Sequence, residues 1–306
     1  MNISVVIPNY NYGKYLGECV ESVLKQTVAP AEILIIDDCS TDNSEKVLSE
    51  YDDHDSIKII RNEENLGIVK NFNKAVSCTK GDYVVFVGAD NRIKNDFVEK
   101  YHFYADQNPG ADILYSDILL FGERANLLAM QVNAKQVSDD CFHWEFPEPS
   151  DEVIERMDDT NFLHGSSMFK RIWFDKVGGY RESDHAEDFD LFARMLSEGA
   201  TPLRVPHPTL EYRQHSALQA NNLILIEQVV EDLKTRIESL EGENLRLDSV
   251  NISKDKKYGE LLGYCEDLEK KQVYGNRVIQ NFGFEDLSEY AKKMRPALLA
   301  LEYLIG

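Results

Sequence analysis

The chain has 306 residues, 43% of them hydrophobic and 10% aromatic, enough for one large α/β domain plus a smaller appendage. Its 54 acidic residues outnumber 33 basic ones, giving a formal charge of −21. Phosphates therefore meet repulsion rather than counterion release, which excludes non-specific nucleic-acid binding and disfavours anionic membranes outside a local basic patch.

Over the first hundred residues, short apolar runs alternate with helical periodicity. That is the signature of βαβ units and a mostly parallel sheet. The run Ile3-Ser4-Val5-Val6-Ile7 predicts a strand, ending at the Pro- and Asn-rich loop of Pro8 to Tyr12. Leu16, Val20, Val23 and Leu24 predict a helix over residues 15–26. Ile33-Leu34-Ile35-Ile36 predicts a buried strand leading into Asp37-Asp38, with Ser40 or Thr41 as the N-cap of a helix to about residue 51. A third strand follows at 57–60, a turn at Asn65-Leu66-Gly67, a helix through Ala75, a fourth strand at 83–87 and a helix over 93–107. Ligands of such sheets bind beyond the carboxyl ends of the strands. The loops at Pro8, Asp37 and Gly88 are thus expected to share one edge.

The middle is less regular. Residues 113–117 predict a strand, and the polar stretch 122–160, with Pro147 and Pro149, predicts loops over the cleft. His164 to Lys170 reads as a strand entering a helix at 172–177, which Gly178-Gly179 ends. An amphipathic helix is expected from Asp188 to Glu198. Beyond about residue 220 the character changes. Leu223, Ile226, Val230, Leu233, Ile237, Leu240, Asn244 and Leu247 alternate spacings of three and four, a heptad seam over 223–247 with Asn244 at an a position. Two readings stay open: a helix packed within the chain, or a homodimeric coiled coil. The tail also reads as helical. Its Lys292, Lys293 and Arg295 beside Leu298, Leu299, Leu301 and Leu304 suit either core packing or a peripheral membrane contact. No stretch reaches the roughly 18 apolar residues of a membrane span, and with a strand predicted from Ile3 no signal peptide is expected. Five scattered cysteines include no CxxC pair and read as reduced. The expected compartment is the cytoplasm, with the inner face of the plasma membrane as an extension of it.

Two acidic features carry chemistry. Asp90, at the end of an apolar strand, has the hard oxygen donor that holds a divalent cation on a diphosphate. Glu187-Asp188-Phe189-Asp190 opens a helix, and a carboxylate there can take a proton from an incoming hydroxyl. Its place at a helix start is expected to favour the ionised form. Together the two fit transfer from a nucleotide-activated donor. A dinucleotide oxidoreductase is disfavoured, because no Gly-x-Gly-x-x-Gly follows the first strand.

Several ordered motifs then resemble one family. Val5-Val6-Ile7-Pro8-Asn9-Tyr10-Asn11, Ser22-Val23-Leu24-Lys25-Gln26-Thr27 and Ile36-Asp37-Asp38-Cys39-Ser40-Thr41-Asp42 resemble the opening of family 2 glycosyltransferases. Asn65-Leu66-Gly67, Gly81-Asp82-Tyr83, Gly178-Gly179-Tyr180 and Glu187-Asp188 continue the likeness through residue 217. It implies a GT-A domain over 1–217 (Rossmann-like, a mostly parallel central sheet with flanking helices) and a C-terminal α-helical region over 218–306.

The implied activity is a metal-dependent, inverting transfer of a sugar from a nucleotide-sugar, UDP-linked in the first instance, to a hydroxyl of a glycan or glycoconjugate in bacterial surface polysaccharide assembly. Pro8, Tyr10, Tyr12, Asp38, Lys70 and Ala89 would bind the donor, Tyr10 stacking on a pyrimidine and Asp38 accepting its ring N–H. Asp90 and His215 would hold Mn²⁺ or Mg²⁺ on the diphosphate. Asp188 would be the base, and Glu187 would bind donor or acceptor sugar; Asp190 reads as structural or acceptor-facing. The chain departs from the pattern at Gly88, where the first acid of Asp-x-Asp would stand, and at Asn91, where another acidic residue often follows. That departure supports an alternative: a catalytically weak nucleotide- or glycan-binding module with an oligomerising helical tail.

Overall fold

The computed structural model describes residues 1–157 and 161–215. The heptad segment, the tail helix, Cys265 and with them the expected dimer and membrane contacts lie outside the described residues. The chain divides into two units, Met1–Gln214 and His215–Gly306, and the fold below is that of the first.

In chain order its elements are β1 (Ile3–Asn9), α1 (Gly13–Leu24), β2 (Glu32–Asp37), α2 (Ser44–Leu48), β3 (Ile57–Arg61), α3 (Ile68–Ser77), β4 (Tyr83–Phe86), β5 (Arg92–Ile93) and α4 (Phe97–Gln107). There follow β6 (Ile113–Phe121), α5 (Ala125–Gln131), β7 (Lys135–Ser138), β8 (Cys141–Trp144), α6 (Asp151–Glu155), β9 (Met168–Lys170), α7 (Arg171–Val177), α8 (Glu187–Ser197) and β10 (Pro202–Arg213). One sheet runs β3-β2-β1-β4-β9-β6-β10-β5, with the β7–β8 hairpin attached through β8 to β6. Its β3-β2-β1-β4 half is parallel, as the apolar runs predict. Val5, Val6, Ile7, Ile35 and Ile36 have no exposed surface, because helices cover both faces of such a half.

The other half is mixed. β9 lies antiparallel between β4 and β6, and β5 antiparallel to β10. The stretch expected to be loops over the cleft instead forms α5, α6 and the β7–β8 hairpin, whose Phe142 and His143 pair with Leu120 and Leu119 of β6. The helix expected from 93 starts at Phe97, because Arg92 and Ile93 pair with Glu211 and Leu210. The twelve-residue β10 is not among the expected elements. Its Pro206 and Pro208 each lack a ladder N–H, and the register with β6 shifts between Val205 and Leu210, where His207 takes a φ of 78°.

The carboxyl ends of β1 and β2 are tied by side chains. Asn9 Nδ2 donates to Asp37 Oδ1 at 2.6 Å, Ser40 Oγ at 3.1 Å and Ser44 Oγ at 2.9 Å. Ser40 is thereby a crosslink and not the expected helix cap. The helix start is served from Asp42, whose Oδ1 accepts the Ser44 N–H at 2.9 Å while its Oδ2 accepts the Gly13 N–H at 2.9 Å. Asn9 is 1% exposed, so truncating it removes a donor from buried Asp37 and Ser44 and from half-buried Ser40. Asn9→Ala should cost about 1–3 kcal/mol, read as a lowered urea midpoint at unchanged m-value; an unchanged midpoint would show that the network carries no stability.

Candidate functional site

The site forms where loops leave the carboxyl edge of the sheet. On the β1–β2 side, the Asp38 N–H donates to Asn9 O at 2.9 Å, joining the Pro8 and Asp38 loops. The Asp38 carboxylate, 4% exposed, accepts from Asn62 Nδ2 at 2.7 Å and the Leu66 N–H at 2.9 Å on Oδ1, and from the Gly67 N–H at 3.0 Å on Oδ2. It therefore braces the β3–α3 turn, and Oδ2 retains a lone pair for a further donor. Gly67 has a φ of 76°, a backbone region that suits glycine, and hands the chain straight into α3. Lys70 stands exposed on the first turn of that helix. Tyr10 is 45% exposed, the accessibility a stacking platform needs, whereas Pro8 and Tyr12 are half-buried.

The next loop follows β4. Ala89 is fully buried in the core, and Asp90 is 7% exposed beneath Gly88. Asp90 lies near Tyr12 and Cys19. Burial first, then the Asp90 charge, pushes both the Tyr12 hydroxyl and the Cys19 thiol up. The Asn91 N–H closes a turn onto Gly88 O at 2.8 Å. A Cβ on Gly88 would meet Asn91 Nδ2 at 2.9 Å and Asp90 Oδ1 at 3.0 Å, so an acid at 88 would require the Asn91 side chain to move. His215, 2% exposed, ends the described chain and belongs to the second unit.

The third group enters through β9. Being antiparallel to β4 and β6, β9 begins at the edge where those strands end, so residues 164–167 reach that edge too. A Cβ on Gly165 would come 3.2 Å from Asp188 Oδ2. Glu187 and Asp188 are the first two residues of α8 and both are half-buried. Burial, then the neighbouring Glu187 charge, raises the Asp188 pKa to about 6, although its Oδ1 accepts the Phe189 N–H at 2.7 Å. The expectation that the helix start would favour ionisation is thus corrected: desolvation outweighs the dipole.

Two further residues of this acidic stretch sort cleanly. Asp190, 6% exposed, accepts from Arg181 Nε at 3.0 Å and Arg194 Nε at 2.8 Å, which makes it structural. Arg194 also donates to Val177 O and Gly179 O at 2.7 Å each, fixing α8 to the Gly178-Gly179 turn. Asn73 of α3 grips the same turn, its Nδ2 donating to Tyr180 O at 2.8 Å and its Oδ1 accepting the Tyr180 N–H at 2.9 Å. Gly179 is required there, with a φ of 75° and a Cβ position 2.6 Å from Asn73 Oδ1. Tyr180, packed edge-on to Phe72 and Phe86, lies beside Asp188; burial first, then the Asp188 and Glu187 charges, raise its hydroxyl pKa. Gly165 and Arg213 are the residues of this edge that sequence reading did not single out. Gly165 stood within the quoted His164 to Lys170 stretch, but its neighbour Asp188 is distant in sequence.

No group of three or more His, Cys, Asp or Glu side chains able to hold a metal occurs among the described residues. Asp90 supplies one carboxylate. That donor set suits a hard cation carried mostly by diphosphate oxygens and water, as Mg²⁺ usually is, and does not suit an all-protein cage.

The chain belongs to glycosyl transferase family 2, whose model matches residues 4–178. It is 36% identical over 122 residues to glycosyltransferase GlyG of Streptococcus pneumoniae serotype 4, covering 40% of each chain. To chondroitin synthase of Escherichia coli it is 27% identical over 199 residues, 64% of this chain and 27% of that one. The chain thus matches less than half the length of either relative. Among solved structures, S. aureus TarS 1–349 in complex with UDP-GlcNAc superposes with a TM-score of 0.55 at 20% identity, covering 76% of this chain and 66% of that one. The mannosyltransferase PcManGT from Pyrobaculum calidifontis, in complex with GDP-Man and Mn²⁺, gives 0.55 at 15%, covering 98% and 80%. The fold is therefore GT-A, with a mixed sheet. Among the described residues, no helix is long and apolar enough to cross a membrane.

The raised Asp188 pKa has a stability consequence. The folded chain holds a proton near pH 4–6 that the unfolded carboxyl releases, so its contribution is full below about pH 4 and is lost as pH rises through 6. The shift of about two units, discounted for partial exposure, amounts to about 1–2 kcal/mol. Asp188→Asn should accordingly melt higher than the parent chain at pH 7.5 and equal to it near pH 4. A difference independent of pH would show that Asp188 carries no raised pKa.

Proposed function

We propose that the chain is an inverting glycosyltransferase that moves a sugar from a nucleotide-sugar, UDP-linked in the first instance, to a hydroxyl of a glycan or glycoconjugate. Bacterial surface polysaccharide assembly is the setting, supported by the family and by chondroitin synthase among the relatives. The observation that carries the reading is Asp188: a half-buried carboxylate with a pKa near 6, beside a glycine, at the sheet edge where the nucleotide-side loops also emerge. A carboxylate so poised is ionised at neutral pH yet basic enough to accept a proton.

In the proposed reaction, the donor's base lies on Tyr10 and meets the remaining Asp38 acceptor, with Pro8, Tyr12 and Lys70 around the nucleotide. The acceptor hydroxyl oxygen attacks the anomeric carbon as its proton passes to Asp188. The bond from that carbon to the diphosphate oxygen breaks with its electron pair, and the nucleoside diphosphate leaves. Glu187 orients the sugar hydroxyls next to the base. Asp90 would hold Mn²⁺ or Mg²⁺, which when bound neutralises charge on the leaving diphosphate; the Mn²⁺ in the PcManGT complex supports this. His215 keeps its assignment as a second protein donor on the family resemblance alone.

The test uses release of nucleoside diphosphate from a panel of UDP- and GDP-sugars. Asp188→Asn should lower kcat by about 10³-fold or more with UDP affinity within a few-fold of the parent chain, and kcat/KM of the parent should rise with pH through about 6. Full activity in Asp188→Asn removes it as the base. With a single carboxylate in the donor set, Mn²⁺ alone should leave the melting temperature unchanged, while Mn²⁺ with UDP should raise it beyond UDP alone. Equal shifts with UDP in Mn²⁺ and in EDTA would overturn metal dependence. If no donor is turned over while UDP still binds, the catalytically weak binding module motivated by Gly88 and Asn91 takes precedence.

A further inference from the structure

The loop that carries Asp90 is fastened from one distant residue. Arg213, at the end of β10, donates through Nε to Asp90 O at 2.8 Å, and its backbone N–H donates to Asn91 Oδ1 at 2.9 Å. The guanidinium carbon stands 4.7 Å from the Tyr15 ring centroid and 4.4 Å from that of Phe121, while Nη2 pairs with Glu18. Glu18 pairs in turn with Arg92, which also stacks on Phe121 at 4.2 Å. One residue therefore joins α1, β6 and β10 to the main chain of Asp90 and the side chain of Asn91.

We propose that Arg213 is a positioning residue for the Asp90 loop, setting where the Asp90 carboxylate meets the cation–diphosphate of the donor. The proposal rests on the reading that Asp90 serves that cation. Three features favour positioning over a plain surface ion pair. The Nε bond goes to a backbone carbonyl, so it fixes main-chain placement and adds nothing to pairwise charge. The second bond comes from the same residue and orients the neighbouring amide side chain, so the loop is held at Asp90 and at the residue after it. The planar cation is stacked, and its rotamer is set by two aromatic rings before the loop adds its own bond. Lysine keeps the charge but offers neither the planar stack nor the fixed fork of donors. The placement matters because displacements of about 1 Å in a reacting constellation can cost 10²-fold.

UDP binding to the full-length chain, titrated calorimetrically at a series of Mn²⁺ concentrations, separates the outcomes. For Arg213→Lys the Mn²⁺ concentration giving half-maximal enhancement of UDP affinity should rise at least tenfold, with UDP affinity in EDTA within twofold of the parent chain. Glu18→Gln leaves the Nε bond to Asp90 O in place. It should lower the melting temperature while leaving the Mn²⁺ midpoint within twofold, which distinguishes positioning from general stiffening. An unchanged Mn²⁺ midpoint in Arg213→Lys overturns the proposal, as does an equal rise in Glu18→Gln. If the parent chain itself shows no Mn²⁺ enhancement, the reading of Asp90 fails first and the Arg213 proposal falls with it.

Discussion

Backbone that turns sharply at the carboxyl edge of a parallel sheet leaves N–H groups with no ladder partner, and buried ones must be satisfied. This chain satisfies many of them with carboxylates. Asp38 takes the amides of Leu66 and Gly67, Asp37 that of Ser40, and Asp42 those of Gly13 and Ser44. The loops that would receive a nucleotide are thereby pinned to one another before any ligand arrives. Asp190 does the equivalent for the far side, gathering Arg181 and Arg194 so that α8 is locked to the turn at Gly178 and Gly179. Acids at this edge thus divide by partner. Those that hold main chain or arginines set the frame, and Asp188, which accepts from the next amide of its own helix, sits desolvated within it.

That division bears on what could be read from the chain. The parallel half was legible because β1, β2 and β4 are apolar runs buried on both faces, a pattern with its own period and length. The mixed half was not. β7 is exposed at every position and β8 is half-buried throughout, so neither shows an alternation of burial. β10 carries three prolines and a register shift, features that demote a run in any local reading. β5 is two residues long and exists only because β10 is there to pair with it.

The site shows the same split. Asp38, Asp90 and Asp188 announce themselves through motifs, since each stands in a short ordered pattern. What each acid does depends on partners far away in sequence. The helix-start argument for Asp188 was correct about the local dipole and incomplete about its surroundings, because Tyr180 and Glu187 lie beside the carboxylate and Gly165 arrives from another strand. Asp190, which reads as structural or acceptor-facing, is held by two arginines that local sequence does not assign to it. For Arg213, nothing local indicates that its Nε reaches a carbonyl on the β4 loop.

The departures at Gly88 and Asn91 then read as one arrangement. Asn91 spends its amide oxygen on the Arg213 N–H, and its Nδ2 lies where a side chain at 88 would begin. Each position accommodates the other, and the loop closes without a second or third acid. On the proposed function this has an electrostatic consequence. A carboxylate about 6 Å from a phosphate oxygen costs about 3 kcal/mol at an effective dielectric of 20. A loop with one acid therefore repels an incoming diphosphate less than a loop with two or three, and needs less cation charge to offset it. The same economy leaves too few donors to retain a cation once the nucleotide departs, so cation and nucleotide would come and go as a unit. In a chain of net charge −21, sparing acids in the loop after β4, which on the proposed function meets the diphosphate, is a constraint the rest of the composition makes sharper.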